Sequence, residues 1–109
     1  MIEDVLRREG MVPITCSTSR EALDIIDTRP LDAVILEPMM PGIHGYEVLR
    51  HIRSRQVTRN LPVIVVSARE DAPFREAGLA MGANYNTTKP YHLRDLVRQV
   101  RICVAKTNF

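Results

Sequence analysis

Apolar positions along this chain recur with two periods. Residues 2–9 carry Ile2, Val5 and Leu6 at helical spacing and end at Gly10, which predicts a short helix with a glycine stop. Residues 12–16 form a brief apolar run that predicts a strand. Pro13 has no N–H to give a ladder, so this strand belongs at a sheet edge. Thr18 and Glu21 stand at capping-box spacing, and Ala22, Leu23 and Ile26 then share one face. A helix therefore runs to about Thr28, where Arg29-Pro30 ends it. Residues 31–36 predict a second strand. From Tyr46 to Arg55, Val48, Leu49 and Ile52 mark a helix whose other face carries Arg50, His51, Arg53 and Arg55. Asn60-Leu61-Pro62 turns the chain into residues 63–66, its most hydrophobic β-branched run and hence a central, buried strand ending in Ser67. A weaker helix begins at Asp71 and Pro73, turns Phe74, Ala77 and Met81 inward, and stops at Gly82. Residues 84–88 are a short polar strand ending at Lys89-Pro90. Residues 91–106 are an amphipathic helix with Leu93, Leu96, Val97, Val100 and Val104 inward and Arg94, Arg98 and Arg101 outward.

Strands alternate with helices throughout, which argues for βα units, a parallel sheet and helices on both of its faces. At 109 residues the chain holds one domain at most. With 45% hydrophobic and 26% charged residues it has an ordinary globular composition. A net charge of +2 is too small to argue by itself for nucleic acid or an anionic membrane. No apolar run approaches the roughly 18 residues that span a bilayer. The amino terminus is acidic at Glu3-Asp4 and lacks a signal-peptide pattern, so the expected compartment is the cytoplasm. Cys16 and Cys103 stand far apart in apolar stretches, outside any metal-ligand spacing, and read as small buried hydrophobes.

The chemistry gathers at strand ends. The stretch 31–45, L-D-A-V-I-L-E-P-M-M-P-G-I-H-G, is an apolar run ending abruptly in Glu37 and followed by prolines and glycines. The next two strands end in Ser67 and Lys89. In a parallel sheet those three ends share one edge, where ligands bind in open α/β folds. With E-P-M-M-P-G-I-H-G, V-I-V-V-S-A and T-K-P-Y at these spacings, the chain resembles the receiver domain of bacterial response regulators over about residues 2–104.

That resemblance implies a flavodoxin-like three-layer α/β sandwich with strand order 2-1-3-4-5. It implies Mg²⁺-dependent self-phosphorylation on an aspartate, read out by the face of the family's fourth helix, fifth strand and fifth helix. Ser67 matches the hydroxyl residue that senses the phosphoryl group, and Lys89 the lysine that pairs with it. Lys89-Pro90 matches a peptide bond commonly cis in the family. Met39 matches the position whose carbonyl helps hold Mg²⁺, in a loop that also contains Pro41 and Gly42. Glu37 falls on the phosphoacceptor position, where the family has aspartate. Its carboxylate reaches one methylene further, into the space of an aspartyl phosphate's near oxygens.

Three departures follow. The acceptor is Glu37. The family's first strand, with its pair of Mg²⁺-binding acids, is missing, because residues 2–9 match the tail of the first helix and not a strand. The switch aromatic expected three residues before the lysine is Asn86, with Tyr85 one place off and so on the opposite face of the strand. Residues 1–109 are thus expected to form a single receiver-like domain, shortened at its amino terminus relative to the family. It is expected to be no enzyme, to have lost Mg²⁺, and to signal by protein contacts without phosphorylation. Partners would meet it on the family's output face or on open sheet edges, including a second copy in a dimer. The alternative is a shortened or engineered form of an ordinary phosphorylatable response regulator, with Glu37 as a phosphate mimic. A hydrolytic set of Ser67, His44 and Glu37 is disfavoured because no G-x-S-x-G elbow exists and His44 has no fixed orienting partner. Nucleic-acid binding through Arg94, Arg98 and Arg101 is disfavoured for lack of interleaved aromatic residues.

Overall fold

The fold was read from a computed structural model, which describes residues 2–37, 45–67, 79–88 and 92–107. Its elements, in chain order, are α1 (Ile2–Arg8), α2 (Ser19–Thr28), β1 (Val34–Leu36), α3 (Gly45–Ser54), β2 (Val63–Ser67), β3 (Tyr85–Thr88) and α4 (Leu93–Thr107). The strands pair in parallel in the order β1-β2-β3.

β2 sits between the other two strands and between two layers of helices. Val63 to Val66 are each no more than 1% exposed. Alternate residues face opposite sides. Val63 and Val65 join Val34 and Leu36 of β1 against Ile26 of α2 and Val48, Leu49 and Ile52 of α3. Ile64 and Val66 join Ile35 against Leu96, Val100 and Cys103 of α4, with Ile2 of α1 at the margin. Each fully buried side chain of this kind contributes about 1.5–3 kcal/mol. A strand covered on both faces needs an unbroken apolar run, and Val63 to Val66 supply one.

Local signals fix the element ends. Thr18 is an extended N-cap residue whose side chain accepts from the Glu21 backbone N–H at 3.2 Å. Gly10 ends α1 with φ +82°, the Met11 N–H donating to the Leu6 carbonyl and the Gly10 N–H to the Arg7 carbonyl, both at 3.0 Å. That is the left-handed glycine stop read from the sequence. Leu79 and Ala80 are helical and run into a turn at Met81 and Gly82, with Met81 packed on the first cluster as expected. Phe74 and Ala77 lie outside the described residues.

Four expectations need correction. Residues 12–16 form no strand, and Val12 is 88% exposed. A strand persists only where a neighbour takes its backbone hydrogen bonds, and among the described residues none does so here. The run 31–36 forms ladder only over Val34–Leu36, because its first bond is the Val34 N–H to the Pro62 carbonyl at 2.9 Å; Leu31 packs against the first cluster ahead of it. α4 starts at Leu93, after His92, whose carbonyl accepts from Asp95 and Leu96. Cys103 is buried as expected, but Cys16 is exposed, since among the described residues no strand pairs with the segment that carries it.

α2 and α3 also meet through charge. His51 Nε2 lies 2.8 Å from Asp27 Oδ1, which Arg55 also engages. The His51 hydrogen bond, then the charges of His51 and Arg55, hold the Asp27 carboxyl below its usual range against an opposing loss of hydration. A depressed folded-state value means that the unfolded chain binds the proton more readily. The stability contributed by Asp27 is therefore present above the unfolded value of about 3.9 and lost as pH falls through the folded one. Chemical denaturation of the chain and of Asp27→Asn should show a stability gap at about pH 6 that closes towards about pH 3; a gap independent of pH would exclude this linkage.

Candidate functional site

Parallel pairing aligns the carboxyl ends of the strands. Leu36 pairs with Val65, and Ser67 with Thr88. Glu37 follows directly on Leu36 and is partly buried. Ser67 closes β2, and Thr88 closes β3 immediately before Lys89 in sequence. The register thus brings Glu37, Ser67 and Thr88 to one edge. Lys89, Pro90, Met39, Pro41, Gly42 and His44 lie outside the described residues.

The helices belong to this edge by direction. α3 begins at Gly45, eight residues after Glu37, and buries Gly45, Val48, Leu49 and Ile52. β3 alternates as its spacing requires. Tyr85 packs in the cluster shared with α4, and the Thr87 hydroxyl donates to Gln99 Oε1 of α4 at 2.8 Å. Among the described residues of β3, the aromatic side chain is therefore spent on the α4 side. Asn86 holds the intervening register position, opposite Val65.

The acids that could imitate a metal-binding pair sit elsewhere in local structure. Glu3 and Asp4 are in the first turn of α1, and Asp4 is exposed and paired with Arg7 at 3.6 Å. Among the described residues no three His, Cys, Asp or Glu side chains gather where they would hold a metal ion. The outward arginines of α4 are largely matched by carboxylates. Arg98 lies 3.8 Å from Asp95, and Arg101 engages Glu9.

Sequence reasoning missed two groups. Helical spacing puts Arg53 on the polar face of α3, yet its guanidinium is drawn into the turns before β2 and β3. Asn84 was read as a strand residue, yet its side chain bonds β2: the Val63 N–H donates to Asn84 Oδ1 at 2.9 Å, and the Asn84 N–H to the Val63 carbonyl at 2.8 Å. The only hints were an asparagine just past Gly82 and an arginine in the last turn of α3.

A parallel three-stranded sheet, helices on both faces and polar residues at its carboxyl edge define a flavodoxin-like α/β fold. The sequence profile described as the response regulator receiver domain matches residues 1–101, and the chain belongs to that family. It is 41% identical over 88 residues to the response regulator MprA of Mycolicibacterium vanbaalenii, covering 81% of this chain and 37% of that protein. It is 35% identical over 97 residues to the sensory transduction protein RegX3 of Mycobacterium tuberculosis, covering 89% of this chain and 41% of that protein. The chain thus spans about two-fifths of the length of these relatives. Among solved structures, a response regulator receiver domain protein from Clostridium thermocellum superposes with a TM-score of 0.88 at 26% identity, over 98% of this chain and 85% of that one. The receiver domain of the sensor histidine kinase PA1611 from Pseudomonas aeruginosa, with a magnesium ion coordinated in its active site cleft, superposes with a TM-score of 0.84 at 26% identity, over 95% of this chain and 85% of that one.

A carboxylate and an ammonium that meet at this edge stabilise each other, and removing one leaves the other uncompensated. Glu37→Gln, Lys89→Met and the double variant, unfolded in urea, should give a coupling energy of about 0.5–3 kcal/mol. Strictly additive effects would show that Glu37 and Lys89 do not interact.

Proposed function

We propose that this chain is a receiver module of two-component signal transduction that works through protein contacts and is not phosphorylated. The observation that carries the reading is Glu37, a glutamate and not an aspartate, directly after β1 at the carboxyl edge of the sheet. Its longer side chain presents an anion where a receiver would carry its aspartyl phosphate, so Ser67 and Lys89 have a permanent negative partner. The residues do not fit Mg²⁺. That ion demands near-octahedral oxygen ligands and gives up its water reluctantly. Among the described residues no three acids, histidines or cysteines gather to hold a metal, and Asp4 is paired with Arg7 on a helix surface. Phosphoryl transfer is mostly positioning and charge neutralisation, and with Lys89 alone the developing charge on the phosphoryl oxygens would be poorly offset.

The remaining functions follow from surfaces. With Arg98 and Arg101 matched by carboxylates, the α4 face favours a protein over a polyanion. Within the described sheet β1 is bonded only to β2, and the 11–16 segment leaves Val12 and Ile14 exposed. Open edges and exposed apolar groups favour self-association. No helix among the described residues is long and apolar enough to cross a membrane, and the module is assigned to the cytoplasm with the rest of this signalling class.

Intact-mass spectrometry after incubation with acetyl phosphate and Mg²⁺ tests the main reading. No phosphoryl group should appear on the chain or on Glu37→Asp, which restores the acceptor but not the metal. A Mg²⁺-dependent gain on Glu37→Asp would show that other acids hold the metal, and a gain on the unaltered chain would make it an ordinary phosphorylated regulator. Sedimentation velocity should show a concentration-dependent dimer; a monomer throughout the micromolar range would exclude self-association.

A further inference from the structure

Arg53 lies in the last turn of α3, at the opposite end of the strands from Glu37 and Ser67. Its guanidinium is half-buried and spends all five of its N–H donors. Nε and Nη2 donate to the Gly82 carbonyl at 2.9 and 2.7 Å. Nη1 donates to the carbonyls of Leu61 at 2.5 Å and Arg59 at 3.1 Å. Nη2 also donates to Asn84 Oδ1 at 3.0 Å. All four acceptor groups are neutral, and they belong to the two turns that lead into β2 and β3.

The acceptors are themselves locked. Asn84 Oδ1 takes the Val63 N–H as well as Arg53, and the Asn84 N–H returns to the Val63 carbonyl. Gly82 has φ +106°, which directs its carbonyl to the guanidinium, and a Cβ there would lie 2.9 Å from Arg53 Nε. One planar fork therefore fixes the first residue of β2 against the residue before β3. A lysine, with three donors on a single atom, cannot reproduce it.

β3 needs such a pin. Within the described sheet it is an edge strand of four residues, Tyr-Asn-Thr-Thr, whose sequence has little hydrophobic alternation. Register is weakly specified in strands of that kind. A slip of two residues on β2 preserves which face each side chain takes, yet moves Thr88, the end of β3, by about 7 Å along the sheet.

We propose that Arg53 is a positioning residue for the signalling edge: by clamping the amino ends of β2 and β3, it sets the register that pairs Ser67 with Thr88, the residue before Lys89 in sequence. The proposal rests on the reading of that edge given above, but its test does not require the edge to signal. Amide hydrogen exchange, followed by NMR in the chain and in Arg53→Lys, reads it out. Exchange at Tyr85–Thr88 should rise by about tenfold or more relative to β1 and α3, and the Ser67 and Lys89 resonances should shift. A uniform rise across the sheet would reduce Arg53 to general stability and overturn the proposal, as would unchanged exchange in β3. Should Arg53→Lys fail to fold, Asn84→Asp and Asn84→Ala decide the matter. The aspartate keeps the acceptor for Arg53 and Val63 and should keep β3 protected, whereas the alanine should lose protection there. Equal behaviour of the two variants would overturn the proposal.

Discussion

The parallel ladder of β2 with its two neighbours is the constraint on which the rest of the molecule depends. Each interior residue of β2 is sealed from water on both faces, so both faces must be roofed by apolar helix surfaces. α2 and α3 roof one side, and α1 and α4 the other. Parallel pairing then forces all strand ends of one polarity to a single edge. Glu37 and Ser67 share that edge for the same reason that Val34 and Val63 share the opposite one. The site is a consequence of topology, with no separate scaffold of its own.

The two edges divide the chemistry. At the carboxyl edge the described strands end in Glu37, which follows β1, Ser67 of β2 and Thr88 of β3. At the amino edge the groups are mostly backbone carbonyls, gathered by turns and satisfied by one arginine. Burial lowers the pKa of the Arg53 guanidinium, yet arginine stays charged at any ordinary pH. The charge is tolerated because five hydrogen bonds replace its water.

Where sequence patterns failed, they failed for identifiable reasons. Residues 12–16 have strand composition, but composition cannot supply a neighbour, and the segment stays irregular with Val12 in solvent. Arg53 follows Arg50 by three residues on the adjacent side of α3, so periodicity alone does not set it apart from the other polar residues of that helix. Only the arrival of the 59–61 and 82–84 turns at the end of α3 separates it from them. Tyr85 was placed on the face away from the switch position by strand parity alone, and it packs there, in the cluster of α4.

The sequence by itself determined the α/β class, the parallel sheet, the helix faces of α2, α3 and α4, the caps at Thr18 and Gly10, and the receiver family with a glutamate at its acceptor position. These are local or periodic properties: apolar spacing, capping geometry and motif order are carried by residues near one another in the chain. Tertiary structure decided the length of β1, the irregular path of 12–16, the tie between Asp27 and His51, and the Arg53–Asn84 clamp. Each of those joins residues some 20 or more apart in sequence, or depends on a strand partner being present or absent. No local pattern encodes such a meeting, because it exists only once the sheet has brought the turns together.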